Sequence, residues 1–483
     1  MRLSRLAVLA LFLLLALALN IRLRASLGDL WLDEVWSLQL ARRIHSAIEV
    51  FTGLHHDNNH HLATLLLYWM GTIDWWPAYR LPSVIAGAGT VFLAWWIGSR
   101  RNQIEGFTAL AVTGASFLLI QYSSESRGYA WACFFALLAY TCLERYLLGR
   151  HLSAALAFGA SVCLGFLSHL TFVHVYLAAV LWSLGVLIPG RKSWREVIGA
   201  AAQCHALPFA FLLVFYLVDI QHLQTGGATP RPLAEVLGQT LALAFGGPTS
   251  GPWFILAVMA PVVFFCFALR LSWRSANRAW IFLASSVVLS PLLFLFIHDT
   301  RFLQERYFLV PISILLLASS GVLADWYRRG VAGRLAFGAL LGAYLVSNAV
   351  HVGNLLQHGR GHYLEAIQYM ASHTGGNDIT VGSDHHFRNA TLLDFYSRYL
   401  APPKRIRYLP AVSAGESPDW LIAHTQETDP SPMTSLRFPN GLEYALAATY
   451  LSAPLSGFTW FVYQRRFALS PNLADSEGQR SRQ

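Results

Sequence analysis

Apolar stretches about as long as a membrane span recur in this chain from residue 6 to about residue 350. A transmembrane helix needs about 20 mostly apolar residues. About eleven stretches meet this description, at residues 6–21, 82–99, 104–122, 129–147, 153–170, 172–189, 197–218, 252–269, 279–297, 308–325 and 333–350. Only 13% of the residues are charged, against roughly 25% in soluble proteins. The sequence therefore predicts a polytopic α-helical membrane protein.

The basic residues between the apolar stretches indicate how they are oriented. Arginine and lysine gather in loops at residues 100–101, 145–150, 191–195, 270–278 and 328–334. Such loops stay on the cytoplasmic side of a membrane, which places the N-terminus there too, and an odd number of spans places the C-terminal part outside. The same distribution explains the net charge of +9 without a nucleic-acid partner.

Three further regions complete the predicted domain organisation. Residues 1–350 form the transmembrane domain, with an external loop at 22–81 that holds an amphipathic helix around 34–51. The apolar piece 62–73 of this loop is too short to cross a bilayer at about 1.5 Å per residue, so it is predicted to be re-entrant or interfacial. Residues 351–469 are predicted to form a small external α/β domain, and the polar residues 470–483 a disordered tail.

Within the α/β domain, individual elements follow from hydrophobic periodicity. Two helices are predicted at residues 363–373 and 387–400. Four strands are predicted at residues 378–382, 406–409, 420–423 and 459–465.

Two adjacent carboxylates, Asp33 and Glu34, lie between Trp31 and Trp36 just after the first apolar stretch. A charged side chain at a bilayer edge is costly, so by default it is a functional candidate. The alternative is that the two carboxylates merely cap an interfacial helix whose tryptophans lie in the aromatic belt. Other polar motifs on the predicted external face favour a functional role, and they lie at residues 55–61, 125–129 and 298–307.

Acids and cations together on an external face suit one kind of reaction. Sugar nucleotides are not generally available outside the cytoplasm, so glycosyl transfer there would use a sugar carried on a lipid phosphate. Such a transfer needs a carboxylate that takes the proton of the acceptor hydroxyl and cations that hold the departing phosphate. Asp33 and Glu34 meet the first need, and Arg127 and Arg306 are the best candidates for the second.

The order of the short motifs resembles a known family, the polyprenyl-phosphate-dependent membrane glycosyltransferases of the GT-C superfamily. The likeness is greatest to the bacterial branch related to glycosyltransferase family 39, which includes relatives of the protein O-mannosyltransferases and aminoarabinose transferases. It covers residues 1 to about 350. The motifs that carry it are Leu32-Asp33-Glu34, Asn59-His60, Tyr79-Arg80-Leu81-Pro82-Ser83, the run from Tyr122 to Tyr129, and Glu305-Arg306-Tyr307.

The resemblance implies roles for several residues. Asp33 would be the catalytic base of an inverting single displacement, and Glu34 would bind a metal or the acceptor. Glu125 would lie near the site, and Arg127 would contact the lipid phosphate. Relatives often carry His-Pro-Pro or His-Pro-Leu where this chain has His60-His61-Leu62, so the family histidine matches His60, His61 or neither. The remaining site candidates are Arg80 for the donor phosphate, and Asp57, Tyr129, Glu305 and Tyr307 around it.

These arginines also have structural interpretations. Arg127 and Glu125 could form a simple interfacial ion pair, worth roughly 0–1 kcal/mol if exposed. Arg306 could extend to phospholipid headgroups, and Arg80 could anchor the chain at the interface.

The histidines raise the question of a metal. The cluster at residues 55–61 has the composition of a metal site, but its spacing fits no standard zinc signature. A divalent ion, if present, is predicted to bind Glu34, Glu125 and His60. His169 and His174 are more typical of residues packed within a helical bundle.

The sequence thus predicts a hexosyl- or pentosyltransferase of the bacterial inner membrane, with its active site and C-terminal domain in the periplasm. The donor is a polyprenyl-phosphate sugar, and the acceptor a glycan, a lipid or a protein of the cell envelope. One alternative is a transporter or flippase of lipid-linked sugars, which would more often show paired repeats and broken helices near mid-membrane. Another is a glycan polymerase or ligase that uses an oligosaccharide on a lipid diphosphate.

Overall fold

The computed structural model divides the chain into two compact units. The membrane unit comprises Met1–Leu27 and Trp36–Leu356, and the C-terminal unit comprises Gly28–Val35 and Gln357–Gln483. The residues that the structure describes are 4–190, 193–226, 229–274, 277–410, 417–427, 430–438 and 441–466. The segment that carries the adjacent carboxylates is therefore grouped with the C-terminal residues, and the predicted disordered tail lies outside the described residues.

Helices account for most of the chain up to residue 358. In chain order they are α1 (Arg5–Ala25), α2 (Leu32–Arg43), α3 (Glu49–Thr52), α4 (His61–Met70), α5 (Leu81–Ser99), α6 (Gln103–Ala115), α7 (Phe117–Ser123), α8 (Tyr129–Gly149), α9 (Leu152–Ser168), α10 (Val173–Leu187), α11 (Trp194–Val218), α12 (Leu233–Ala244), α13 (Phe254–Trp273), α14 (Ala279–Ala284), α15 (Ser290–Ile297), α16 (Leu309–Tyr327) and α17 (Val331–His358). A π-helical stretch, Ser285–Leu289, joins α14 to α15.

Nine helical segments of the described residues are long and apolar enough to cross a membrane, and the bent pair α6–α7 would make ten. Each of the eleven predicted spans has a helical counterpart, although α9 has only 17 residues. The predicted short helix is α4, with 10 residues. The prediction of a polytopic helical membrane protein is confirmed.

The break between α6 and α7, an angle of 61°, is stabilised by two buried polar side chains. Hydrocarbon offers no hydrogen bonds, so backbone groups released by a break need partners within the protein. The Arg22 guanidinium donates to the carbonyls of Thr113 and Gly114 at 3.2 and 3.1 Å. The Asn348 amide oxygen accepts the Phe117 N–H at 2.7 Å. The chain is thereby held where α7 leads into the loop of residues 124–128.

The segment between α1 and α5 contains α2, α3 and α4. The amphipathic helix predicted around residues 34–51 is divided into α2 and α3 by a turn. The Glu49 carboxylate stabilises this turn, because it accepts the His45 N–H at 3.0 Å and the Ser46 hydroxyl at 2.9 Å.

The C-terminal unit is an α/β domain, as predicted. Its helices and strands are α18 (Tyr363–Ser372), α19 (His386–Ser397), β1 (Asp378–Ser383), β2 (Arg405–Tyr408), β3 (Trp420–Thr425), β4 (Ser435–Arg437), β5 (Glu443–Tyr450) and β6 (Thr459–Arg465). They form one sheet in the order β2-β1-β3-β6-β5-β4. β1 is parallel to β2 and β3, whereas the β3–β6, β6–β5 and β5–β4 pairs are antiparallel. Both predicted helices and all four predicted strands are present, while β4 and β5 were not predicted.

Candidate active site

Arg127 lies at the centre of a buried polar cluster in the membrane unit. It belongs to the loop between α7 and α8, and its side chain is 3% exposed. The guanidinium donates to the Asn58 amide oxygen, and Nη2 lies 3.2 Å from His60 Nε2. It also lies over the Tyr129 ring, 5.8 Å from the centroid. Two predicted site segments, far apart in sequence, therefore meet at this arginine.

Gly128 makes this meeting possible. A Cβ atom here would lie 1.8 Å from the Ser168 carbonyl oxygen and 3.2 Å from His60 Cβ, so only glycine allows such a close approach. Its N–H donates to His60 Nδ1 at 2.9 Å. The Gly128 N–H and the Arg127 guanidinium, both hydrogen-bond donors, therefore face the two ring nitrogens of His60.

A second histidine, His169, packs against the same rings. Its centroid lies 4.6 Å from that of His60 and 4.5 Å from that of Tyr129, and Tyr307 lies 6.3 Å away. These are ring-packing contacts, which agrees with the prediction that His169 is a packed residue. The rings against which it packs are those of the buried polar cluster around Arg127.

The charges of Arg127 and Arg306 both affect the pKa values of the two histidines. Burial, and then the charges of Arg127 and Arg306 among others, hold the pKa of His60 well below its ordinary value. The same causes, burial first, lower the pKa of His169 to about 3. Two predicted phosphate ligands thus act on one pair of neutral histidines. We call Arg127, Arg306, His60, His169 and Tyr129 the arginine–histidine cluster.

This cluster should make the protein less stable in mild acid. Below its unfolded pKa of about 6.5, His169 binds a proton in the unfolded state but not in the folded state, until the pH approaches about 3. The free energy of unfolding therefore decreases as the pH is lowered. This residue contributes a decrease of roughly 2 kcal/mol between about pH 7 and about pH 5. Denaturant unfolding of the purified protein across this range should show a shallower slope for His169→Gln. His45→Gln, at an exposed histidine, should keep the wild-type slope; equal slopes in all three proteins would contradict the prediction.

Asp57 is a partly exposed acid near the cluster. Burial raises its pKa, but hydrogen bonds from His56 and the Gly226 N–H and the charge of Arg127 outweigh that effect, so the pKa lies below its ordinary value. His56 Nδ1 is 2.8 Å from the carboxylate, whose side chain is 37% exposed. Asp57 is thus an ionised carboxylate that interacts electrostatically with Arg127.

His61, the neighbour of His60, has a different environment. Its Nε2 lies 2.7 Å from a carboxylate oxygen of Asp219, a fully buried residue directly after α11. The other oxygen of Asp219 lies 2.6 Å from His55 Nδ1. Sequence reasoning missed Asp219, because it lies at the end of an apolar span about 160 residues from its partners. His60 contacts the predicted phosphate ligand, whereas His61 fastens the loop to α11.

Three further candidates belong to the membrane unit: two glutamates and a tyrosine. Glu305 is buried and pairs with Arg231 Nη1 at 2.7 Å, an arginine that sequence reasoning also missed. Glu125 is fully buried in the same loop as Arg127. Tyr307 is half-buried and lies against His298, 5.4 Å between ring centroids. All three residues lie within two positions of Arg127 or Arg306 in the chain.

Arg80 has a structural contact. It is fully buried, and its Nη1 donates to the Ser26 carbonyl at 2.8 Å, where α1 ends. Unsatisfied carbonyls at a helix C-terminus favour such a cation. The role of Arg80 toward the donor phosphate stays a prediction.

Asp33 and Glu34 both lie in the first turn of α2 but differ in burial. The Glu34 carboxylate accepts the Trp31 N–H at 3.3 Å, while the Glu34 N–H donates to the Trp31 carbonyl, which is a reciprocal cap. Arg360 Nε lies 4.0 Å from the same carboxylate, and both side chains are at most 1% exposed. Asp33 is half-buried. The capping alternative therefore describes Glu34, and Asp33 is the more accessible carboxylate.

The described residues do not form a recognisable metal-binding site. Among the described residues, no group of three or more His, Cys, Asp or Glu side chains could hold one. The predicted set of Glu34, Glu125 and His60 does not form such a group, since His60 already faces Gly128 and Arg127.

Comparison with known proteins identifies the fold. No protein-family model matches the chain, and no curated protein sequence matches it. Two crystal structures of ArnT from Cupriavidus metallidurans are similar. The structure in the apo state has a TM-score of 0.50 and 14% identity, over 86% of this chain and 93% of that chain. The structure bound to undecaprenyl phosphate has a TM-score of 0.47 and 13% identity, over 94% and 97%. The chain thus shares the fold of the apo ArnT structure, and the predicted relationship is confirmed at the level of the fold.

Proposed function

We propose that this protein transfers a sugar from a polyprenyl-phosphate donor to an acceptor at the periplasmic face of a bacterial inner membrane. The reaction inverts the anomeric carbon, and Asp33 is the general base. The acceptor belongs to the cell envelope.

The arginine–histidine cluster is the observation that carries this proposal. Two guanidinium groups act on the same pair of histidines, and a phosphate is the ligand that such a pair of cations suits. Burial strengthens the attraction, because charges interact more strongly where water is excluded. The neutral histidines and Tyr129 add hydrogen-bonding and apolar surface without adding charge. A lipid phosphate needs this combination of cations and apolar walls.

The fold and the motifs support the same choice. The likeness to the apo state of ArnT is a likeness of fold. The short motifs around Asp33, His60, Arg127 and Arg306 resemble those of polyprenyl-phosphate-dependent enzymes, which favours a lipid monophosphate over a nucleotide as the carrier.

The transfer follows from these roles. The Asp33 carboxylate takes the proton of the acceptor hydroxyl as its oxygen attacks the anomeric carbon. The bond from that carbon to the phosphate oxygen breaks on the opposite face, and its electron pair leaves with the polyprenyl phosphate. Arg127 and Arg306 stabilise the negative charge that grows on this phosphate. Asp33 ends protonated and returns its proton to water.

Product analysis tests the proposal against its two alternatives. Purified protein in lipid nanodiscs would be given a panel of undecaprenyl-phosphate hexoses and pentoses with envelope extract as the acceptor source. We expect mass spectrometry to show one sugar added to an acceptor and free undecaprenyl phosphate in equal amount. A product that gains a whole oligosaccharide would indicate a ligase. Donor that crosses the bilayer of a proteoliposome intact, with no transfer, would indicate a flippase.

A further inference from the structure

The C-terminal unit has a polar cluster of its own, at the carboxyl ends of β1 and β3. Asp384 directly follows β1, and its N–H donates to the Ile422 carbonyl of β3 at 3.0 Å. His424 lies near the end of β3, and Arg388 and Asn389 lie in the first turn of α19. We call Asp384, Arg388, Asn389 and His424 the strand-end cluster.

The sheet topology makes this edge a natural binding position. β1 continues through α19 to β2 on one side, and β3 lies on the other side of β1. In open α/β sheets with the order 2-1-3, ligands bind outside the carboxyl ends of the strands, at the switch point between β1 and β3. The strand-end cluster occupies this position.

Hydrogen bonds fix the cluster in one arrangement. One Asp384 oxygen lies 2.8 Å from His424 Nδ1, and the other accepts the His424 N–H at 2.9 Å. With Nδ1 protonated toward the carboxylate, Nε2 accepts from Arg388 Nη1 at 3.1 Å. The guanidinium also lies over the Phe458 ring, 5.4 Å from the centroid. The arginine is thus held from two sides, at a place where the carboxylate is 39% exposed.

The cluster offers both donors and acceptors. Asn389 is fully buried, and its Nδ2 donates to Asp384 at 2.9 Å. Its Oδ1 accepts no hydrogen bond from any described residue. A buried amide oxygen without a partner costs about 1–3 kcal/mol, so a bound donor would remove that cost.

Asp33 belongs to the same electrostatic neighbourhood. Burial lowers the pKa of Arg388, and the charges of Asp384 and Asp33 oppose that effect. Arg388 is therefore close enough to Asp33 for the two charges to interact, within the same unit. The proposed base and the strand-end cluster are neighbours.

We propose that the strand-end cluster binds the acceptor and that the group it binds is a neutral, polyhydroxylated sugar of a glycan. Hydroxyl groups both donate and accept, and this cluster presents a carboxylate and an amide oxygen beside a guanidinium. An anionic acceptor would suit it less, because Asp384 and Asp33 offset the charge of Arg388. This inference rests on the proposed function, and it narrows the acceptor from glycan, lipid or protein to a neutral glycan.

Binding of the detergent-purified full chain to an array of neutral and acidic glycans tests this inference without any donor. We expect the wild type to retain neutral glycans, and Asn389→Ala and Arg388→Lys to reduce binding by about tenfold each. Arg398→Gln is the matched control, because Arg398 directly follows the same helix and pairs with Asp394 at 3.1 Å; it should bind like the wild type. Circular dichroism and melting temperature would show that each variant is folded.

Three outcomes would overturn the inference: no glycan retained by the wild type, a preference for acidic glycans, or equal binding by the wild type and both cluster variants. Donor affinity, measured separately on the same preparations, distinguishes this failure from failure of the proposed function. If the wild type does not bind the donor, the proposed function fails at the arginine–histidine cluster, and glycan binding by the strand-end cluster can still be measured.

Discussion

Asp33→Asn should reduce sugar transfer by about 10²- to 10⁴-fold, the usual contribution of a general base, while donor affinity stays at the wild-type level. Asparagine has nearly the shape of aspartate but cannot take the proton of the acceptor hydroxyl. Asp33 is half-buried in the first turn of α2, so the change leaves no large cavity. Single-turnover transfer and equilibrium donor binding, measured on one preparation, would separate the two effects.

Two neighbouring acids provide the controls. Asp74→Asn changes a solvent-exposed carboxylate in the segment between α1 and α5 and should transfer like the wild type. Glu34→Gln should instead lower the melting temperature, because it removes the carboxylate charge that lies 4.0 Å from the buried guanidinium of Arg360, and breaking a buried ion pair is destabilising. Wild-type transfer by Asp33→Asn would remove Asp33 from the mechanism, whereas loss of donor binding would show that it acts on the donor.

The sequence predicted the membrane part well because hydrophobic length is a local signal. A run such as that in α16 has to be buried in lipid or protein whatever its neighbours are. The same argument identified α4 as too short, since 10 residues reach only about 15 Å. The turn that separates α2 from α3 was missed because it depends on side-chain bonds from Glu49 rather than on hydrophobic pattern.

Strand β5 shows where local reasoning fails. Glu443–Tyr450 contains three alanines, and alanine favours helix. The segment is nevertheless extended, because it pairs with β6 on one side and β4 on the other. Strand preference reflects packing against neighbours, and these neighbours cannot be identified from the segment itself.

The residues of the candidate site likewise include some that the sequence predicted and some that it did not. His60 and Arg127 were predicted from their own motifs. Asp219, Arg231 and His169 were not, since each is defined by partners far away in the sequence. The strand-end cluster was missed for a related reason, because Asp384 and His424 come together only once β1 and β3 are paired.

Arg127→Lys and Arg306→Gln should each weaken binding of undecaprenyl phosphate by about 10- to 100-fold, because each would remove the guanidinium contact that we propose to the phosphate. Lysine is the better replacement at position 127, since it keeps a charge beside Asn58 and His60. Isothermal titration in nanodiscs at two salt concentrations would measure the loss. Arg301→Gln is the matched control: Arg301 is 74% exposed, pairs with Asp299 at 2.7 Å, and should not affect the affinity.

The histidines give this prediction a second readout that needs no ligand. The charge of Arg306 helps to lower the pKa of both His60 and His169, so Arg306→Gln should raise both values in an NMR titration of labelled histidines. Arg301→Gln should leave them unchanged. Raised pKa values with unchanged donor affinity would confirm the position of Arg306 but refute its phosphate role. Unchanged pKa values would instead refute its place in the cluster, because a charge that acts on these histidines cannot be removed without their titration changing.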